Sequence, residues 1–227
     1  MHLLIILILL ALLAYLPQIW VRRVMARYHR NAEANFPGTG GEFARHLLDR
    51  MDLPTVRVET TEAGDHYDPQ SQTVRLTEDK FNGRSLTAIT VAAHECGHAI
   101  QHAASEPLFE WRTRLAKTTI WANRLGSFLL FSAPLIVLLT RLPSAALINL
   151  AGAFLVLGFG LAVQLVTLPV ETDASFNKAL PLLASGYLDE KQLPAARQIL
   201  RAAAWTYVAA ALASLLNFWR WIALLRR

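Results

Sequence analysis

Five consecutive residues near the middle of the chain, His94-Glu95-Cys96-Gly97-His98, have the types and spacing of a metal site. On a helix, residues four positions apart lie on one face with their Cβ atoms about 5–6 Å apart, so both imidazoles can point at one ion. Zinc is the expected metal, because it accepts nitrogen and oxygen ligands in tetrahedral geometry. Glu95 adjoins a ligand, so its carboxylate can reach a water on the metal and act as general base in hydrolysis.

A catalytic zinc site has three protein ligands and leaves one position for water, so a third ligand is needed. Glu171 and Asp173 are candidates, because both follow Pro169 at the end of a long apolar stretch. Two membrane helices joined by a short link would return the chain there to the side of His94 and His98. A distant glutamate on a second helix suits the motif better, so the sequence predicts Glu171 as the third ligand of one Zn²⁺ per chain.

For three other features near the motif, the sequence either leaves several roles open or favours a purely structural role. His102 lies four residues after His98, and could be an alternative ligand, a hydrogen-bond donor to the transition state, a support for a ligand or a surface histidine. Cys96 is the only cysteine, which excludes an intramolecular disulfide, and we interpret it as a packing residue. The segment 66–68 is interpreted as part of a turn.

The polar part of the chain shows a helix and two strands around the motif. A helix is predicted from about Ser85 to Ala104, and its apolar residues cover most of its circumference, as in a buried helix. Alternating residues predict strands over Thr55–Thr60 and Thr73–Thr77, paired in a hairpin or small sheet. The edge of the second strand could hold an extended substrate. A further packing helix is predicted over residues 42–51.

Four apolar stretches, at about 3–20, 119–139, 145–168 and 202–225, indicate a membrane protein, and 54% of all residues are hydrophobic. Arginines at 22, 23, 27 and 30 follow the first stretch and predict that the next region is cytoplasmic. The expected fold is a mainly α integral membrane protein with about four transmembrane helices and a small α+β zincin-like catalytic unit.

The predicted organisation has five parts. A transmembrane anchor (1–21) is followed by a cytoplasmic catalytic region that contains the motif helix (22–118). A transmembrane hairpin (119–168) then leads to a helical segment that carries the third ligand (169–201). A C-terminal membrane helix (202–227) is predicted last, and the sequence leaves open whether it spans the membrane or is a tilted or interfacial helix.

Two long segments resemble a known family. They are VRLTEDKFNGRSLTAITVAAHECGHAIQHA and, after the predicted membrane hairpin, LVTLPVETDAS. Together they resemble the membrane neutral zinc metallopeptidases of the YugP-like group, over about residues 38–180. The resemblance implies zinc at His94, His98 and Glu171, with Glu95 as the catalytic base.

The layout is also similar to membrane proteases of the HtpX type, which place such a site at the cytoplasmic face. Those proteases have an aspartate four residues after the ligand glutamate. Ser175 stands at that position here, and the nearest acid is Asp173. This chain therefore departs from the HtpX pattern at the residue expected to support the metal ligands.

The function that these features predict is a membrane-embedded, zinc-dependent, gluzincin-like endopeptidase that acts on peptides or proteins. Its expected location is a bacterial inner membrane, with the lipid bilayer as partner and the active site on the cytoplasmic side. The alternatives are an inactive metal-binding membrane scaffold and a peptide-binding adaptor. Nucleic-acid binding is not expected, because the basic residues behind the net charge of +5 gather beside apolar segments. The sequence leaves the substrate and the oligomeric state open.

Overall fold

The structure is a computed structural model that describes residues 15–28 and 36–208. Its contacts divide the chain into two compact units. One, the hairpin unit, contains Trp111–Thr167; the other, the site unit, contains Leu16–Glu110 and Leu168–Thr206. The five-part division predicted from the sequence stays a prediction.

The described residues are mostly helical. In chain order the elements are α1 (residues 15–28), α2 (Gly40–Arg50), β1 (Arg57–Thr60), β2 (His66–Asp68), β3 (Thr73–Leu76), α3 (Glu78–Phe81), α4 (Leu86–Ala103), α5 (Pro107–Thr140), α6 (Pro143–Asp173), a π-helix (Ala174–Ala179), α7 (Leu180–Ala184) and α8 (residues 193–208).

Helix α4 lies at the centre of the site unit. It begins where predicted, because the Ser85 side chain accepts a hydrogen bond from the Ala88 backbone N–H and so caps the first turn. Fifteen of its eighteen residues are buried, which confirms the prediction of a buried helix. Helix α2 also packs closely against α3. A Cβ atom at Gly40 would lie 2.3 Å from the Lys80 carbonyl oxygen, so only glycine fits there.

The strands form a three-stranded sheet with the order β1-β3-β2. The prediction of a small sheet is confirmed, but the hairpin is wrong, since β1 and β3 run parallel with Arg57 opposite Thr73. Parallel neighbours need a crossover, and the segment that was interpreted as a turn supplies β2 within it. Strand β2 pairs antiparallel with β3, with Tyr67 opposite Val74.

The central position of β3 also corrects the prediction about substrate binding. Both edges of β3 are already paired, one with β1 and the other with β2. An extended peptide can add only to a strand whose backbone groups are free at one edge. Strand β3 therefore cannot hold a substrate by edge pairing.

The prediction of about four transmembrane helices is wrong for the part of the chain that the structure describes. Among the described residues, no single helix has the length and apolarity needed to cross a membrane. One bent pair, Pro107–Leu129 with Phe131–Thr140, meets the requirement by length and composition. Most of the predicted N-terminal span and most of the predicted C-terminal span lie outside the described residues, at 1–14 and 209–227.

Proline explains the break in α5. The two parts of the helix meet at a bend of 40° next to residue 130, four residues before Pro134. Proline has no N–H to donate to the carbonyl four residues earlier, and its ring clashes with that carbonyl. A continuous span was predicted because only the run of apolar residues was considered, and not the effect of Pro134 on the helix.

The hairpin unit contains most of the two long helices α5 and α6, which are joined by the short link Arg141–Leu142. Within this unit Asn149 donates a hydrogen bond from Nδ2 to Ser132 Oγ over 3.2 Å, which connects α6 to α5. The two helices therefore contact each other directly, as the short link predicted.

Candidate metal centre

Helix α4 places His94 and His98 side by side. The residues are one helical turn apart, and their ring centroids are separated by 4.8 Å. Both residues are buried, with 5% and 3% of their surface exposed. Burial of two imidazoles in an otherwise apolar helix is costly unless their nitrogens have partners.

The carboxylate of Glu171 lies in front of both rings. Its Oε2 atom is 3.2 Å from Nε2 of His94 and 3.3 Å from Nε2 of His98. The candidate ligand atoms of the three residues all lie within 4.8 Å of one another. Glu171 comes from the last turn of α6 and is 1% exposed, so it reaches the histidines from a distant part of the chain.

A close approach of two backbones makes this meeting possible. A Cβ atom at Gly97 would lie 2.8 Å from the carbonyl oxygen of Ala174, a separation that real Cβ atoms essentially never show. Gly97 lies between the two histidines, and Ala174 begins the π-helix three residues after Glu171. Glycine at 97 therefore lets the chain after α6 lie directly against α4.

The ring nitrogens that face away from Glu171 also have partners. Nδ1 of His98 is 2.9 Å from Oε1 of Gln101, and Nδ1 of His94 is 3.2 Å from Oγ of Ser175. Such partners orient an imidazole and leave its Nε2 for a metal. Ser175 thus contacts a histidine of the site although it is not the acid found at this position in HtpX-type proteases.

Glu95 is buried beside the three candidate ligands, with 6% of its surface exposed. Burial raises the pKa of its carboxyl group, while the nearby His94 and His98 act in the opposite direction and Glu171 adds to the increase. The net direction is upward, which makes the carboxylate a stronger base than a glutamate in water. These charges act on Glu95 because all three groups lie close to it.

The donor set fits a zinc ion. Two imidazole nitrogens and one carboxylate oxygen are ligands that zinc accepts, and catalytic sites use three such protein ligands. A carboxylate as deeply buried as that of Glu171 needs a positive charge close to it. A divalent cation bound by Glu171, His94 and His98 would supply that charge.

Other polar residues near the motif have different partners. Nδ1 of His102 lies 2.9 Å from the hydroxyl of Tyr67, and His102 is not part of the cluster that could hold a metal among the described residues. Burial raises the pKa of Tyr67 to about 12, so this hydroxyl keeps its proton at neutral pH. The interpretation of 66–68 as part of a turn is wrong, since Tyr67 is a buried strand residue.

Asp173, the rejected candidate ligand, faces a different set of groups. Its carboxylate accepts hydrogen bonds from Asn177 and Gln101 over 2.7 and 2.8 Å. Burial alone would raise its pKa, but these hydrogen bonds and the charge of Lys178 outweigh burial and lower it. Asp173 is not part of the cluster of three candidate ligands among the described residues.

Cys96 points away from the site, as its predicted packing role requires. Its thiol is buried and donates a weak hydrogen bond to the carbonyl oxygen of Ala44 over 3.6 Å. Burial raises the pKa of the thiol, so it does not ionise at neutral pH.

The sequence analysis missed Gln101. This residue is 1% exposed and contacts His98, Val170 and Asp173. Its signal in the sequence is a neutral polar residue on an apolar helix, three positions after a ligand histidine and so on the same face.

Comparison with known families gives the chain its relatives. Residues 3–226 match the family model described as "Putative neutral zinc metallopeptidase". The chain belongs to this family. The match confirms the resemblance noted in the sequence.

One relative of this metallopeptidase is the "Putative membrane protease YugP" of Bacillus subtilis (strain 168). The two sequences are 36% identical over 214 residues, which cover 92% of this chain and 90% of the relative. No solved structure matches the chain. The motif that led to the predicted metal site thus lies within a region shared with a zinc metallopeptidase family.

Proposed function

We propose that this metallopeptidase is a zinc-dependent endopeptidase with a gluzincin-like site, in which His94, His98 and Glu171 hold one zinc ion per chain. The observation that carries the proposal is the convergence of these three side chains within 4.8 Å, in a buried place beside Glu95. One such cluster occurs among residues 15–28 and 36–208, which supports one zinc per chain.

The chemistry of each residue follows from its place. Zinc bound here would supply Lewis-acid catalysis at the carbonyl and the attacking water. Glu95 would take a proton from that water as the water oxygen bonds to the carbonyl carbon, and would donate it to the amine nitrogen as the C–N bond breaks.

We also propose that the protein works at a membrane. The named relative is described as a membrane protease. The hairpin unit supports the same location, since large apolar side chains of α5 and α6 are strongly exposed: Trp121, Phe128, Phe131, Leu138, Leu139, Leu147 and Ile148. Soluble proteins rarely expose apolar surface of this extent, and lipid would cover it.

The side of the membrane is part of the same proposal. Arg22, Arg23 and Arg27 lie on α1, and all three are exposed. Arginine is enriched on the cytoplasmic side of bacterial plasma membranes. We therefore place the metal centre on the cytoplasmic side; a reporter fused after residue 40 that is active only outside the cytoplasm would contradict this.

The test of the proposed metal centre uses a ligand variant with a matched control. Wild type, Glu171→Gln and Glu78→Gln are purified together, and zinc content and cleavage of an unstructured protein are measured. Glu78 is an exposed residue of α3, so its variant makes the same chemical change away from the site.

We expect about one zinc per chain and cleavage in wild type and in Glu78→Gln. Glu171→Gln should lose both, because an amide oxygen is a much weaker zinc ligand than a carboxylate. Full zinc content and full activity in Glu171→Gln would remove Glu171 from the site. Zinc without cleavage in wild type would favour a scaffold or an adaptor.

A further inference from the structure

We propose that Gln101 is a positioning residue of the metal centre: it fixes the tautomer of His98 so that the lone pair of Nε2 faces Glu171. The inference deepens the proposed function and rests on its assignment of His98 and Glu171 as metal ligands. It goes beyond the ligand set, because Gln101 does not belong to the motif and is hydrogen-bonded to the candidate ligand His98.

The orientation of the Gln101 amide follows from its surroundings. The nitrogen Nε2 lies 3.0 Å from the carbonyl oxygen of Val170 and 2.8 Å from Oδ2 of Asp173. The carbonyl oxygen of Val170 can only accept a hydrogen bond, so the amide must present its NH₂ group on this side. The amide oxygen Oε1 is therefore the atom that faces His98.

The tautomer of His98 follows from the amide orientation. An amide oxygen can only accept, so the Nδ1 atom of His98, 2.9 Å away, must carry the hydrogen. In a neutral imidazole the other nitrogen then has no hydrogen and presents its lone pair. That nitrogen, Nε2, lies 3.3 Å from Oε2 of Glu171, which is where a metal ligand is needed.

The second acceptor of the Gln101 amide, Asp173, is itself held in place. Asp173 also accepts a hydrogen bond from Asn177 over 2.7 Å, and the Nζ atom of Lys178 lies 3.5 Å from Oδ2 of Asp173. Lys178 forms a shorter ion pair of 2.7 Å with Glu106.

The same amide connects the two parts of the site. Gln101 and His98 belong to α4, whereas Val170 is the residue before Glu171 on α6. The hydrogen bond to the Val170 carbonyl therefore fixes the backbone of the third ligand relative to the first two. One buried side chain sets both the protonation pattern of a ligand and the position of another.

The most direct test measures the tautomer in zinc-loaded wild type. In the metal-free protein the Glu171 carboxylate, 3.3 Å from Nε2, would itself attract a hydrogen to that atom. Protein labelled with ¹⁵N in histidine is studied by long-range ¹H–¹⁵N NMR, and the His98 signals are assigned by their loss in His98→Asn. We expect hydrogen on Nδ1 and none on Nε2. Hydrogen on Nε2 of neutral His98 would overturn the inference, and this measurement needs no Gln101 variant to fold.

The second test is zinc affinity, measured by competition with a chelator. Gln101→Leu keeps a similar volume but removes the acceptor, and we expect zinc to bind about 10–100-fold more weakly. The same variant should also lose the preference of His98 for hydrogen on Nδ1. A change in packing alone would not alter the tautomer.

Thr87→Val is the matched control. Thr87 is a buried polar residue of the same helix and donates its hydroxyl to the Met25 carbonyl oxygen over 3.3 Å, away from the ligands. We expect its variant to bind zinc like wild type. Equal affinity in Gln101→Leu and wild type would refute the role of Gln101 alone, whereas absence of zinc from wild type would refute the proposed function.

Discussion

Burial governs the chemistry of individual residues in this protein. His94, His98 and Glu171 are each at most 5% exposed, so their charges and lone pairs act on one another with little screening by water. Glu95 shares this environment, and burial raises the pKa of its carboxyl group. The opposite case is Asp68, a partly exposed carboxylate whose partners stabilise its charged form.

The pH dependence of stability should report Asp68. Its carboxylate accepts hydrogen bonds from Ser71 and Gln70 and pairs with Arg75, and these contacts lower its pKa from 3.8 to about 2. A lowered pKa in the folded state stabilises the fold above the unfolded pKa, and this stabilisation is lost as the pH falls towards 2.

We therefore expect Asp68→Asn to be less stable than wild type by about 0.5–1 kcal/mol at pH 7, the scale of a partly exposed ion pair. The difference in the free energy of unfolding should shrink below about pH 4. Chemical denaturation at pH 7 and pH 3 measures it. A difference that is constant with pH would show that the ionisation of Asp68 adds nothing.

At the scale of elements, the site depends on how closely α4 and the π-helix approach. The π-helix begins three residues after Glu171 and carries Ser175, which contacts His94. π-Helical turns are rare and often occur at functional sites, where they shift the direction of side chains. Gly97 is the residue on α4 that permits the approach.

The variant Gly97→Ala tests this contact. The added methyl group would lie 2.8 Å from the Ala174 carbonyl oxygen, so one backbone must move. We expect a loss of about 1–3 kcal/mol in the free energy of unfolding, as in other overpacked cores, together with weaker zinc binding.

Gly158→Ala is the control for Gly97→Ala, because a Cβ atom at this helical glycine of α6 meets nothing within 4 Å. It should leave stability unchanged or raise it slightly, since alanine favours a helix. If both variants behave alike, the close approach at Gly97 does not limit the site.

The elements differ in how far the sequence could predict them. Helix α4 was predicted because its cap, Ser85, and its apolar residues are local signals. Strand β2 was missed because its three residues are too short to show an alternating pattern, and its neighbours suggested a turn. The parallel pairing of β1 and β3 depends on the sheet as a whole, so no local pattern revealed it.

The same distinction applies to the site. His94, Glu95 and His98 lie within five residues of one another, so their spacing alone indicated a metal motif. Glu171 was predicted from the direction in which a membrane hairpin would return the chain. The structure brings Glu171 to the histidines, although the helices before it are not the membrane spans that were expected. Gln101 escaped notice because its role depends on partners 69 and 72 residues away in the sequence.

At the scale of the whole molecule, the two units have different surfaces. The site unit buries its apolar residues around α4, whereas the hairpin unit leaves large ones exposed, among them Phe131 and Leu138, each 73% exposed. Apolar side chains at this level of exposure on long helices favour a lipid environment over water. The proposed membrane location thus depends on the hairpin unit.

Extraction from membranes tests that location. When membranes that contain the protein are washed with alkaline carbonate, we expect the full chain to stay in the pellet and to need detergent for release. Replacing Phe128, Phe131 and Leu138 with serine should increase the released fraction, because each change removes exposed apolar area. Complete release of wild type by carbonate alone would contradict the proposal.

The central claim is that Glu95 acts as the general base of a zinc peptidase, and Glu95→Gln tests it most directly. Zinc content and the rate of cleavage of an unstructured protein are measured for wild type and the variant. We predict that the variant keeps near one zinc per chain, because the ligands are untouched, and cleaves about 10²–10⁴-fold more slowly. Cleavage by Glu95→Gln at the wild-type rate would contradict the account.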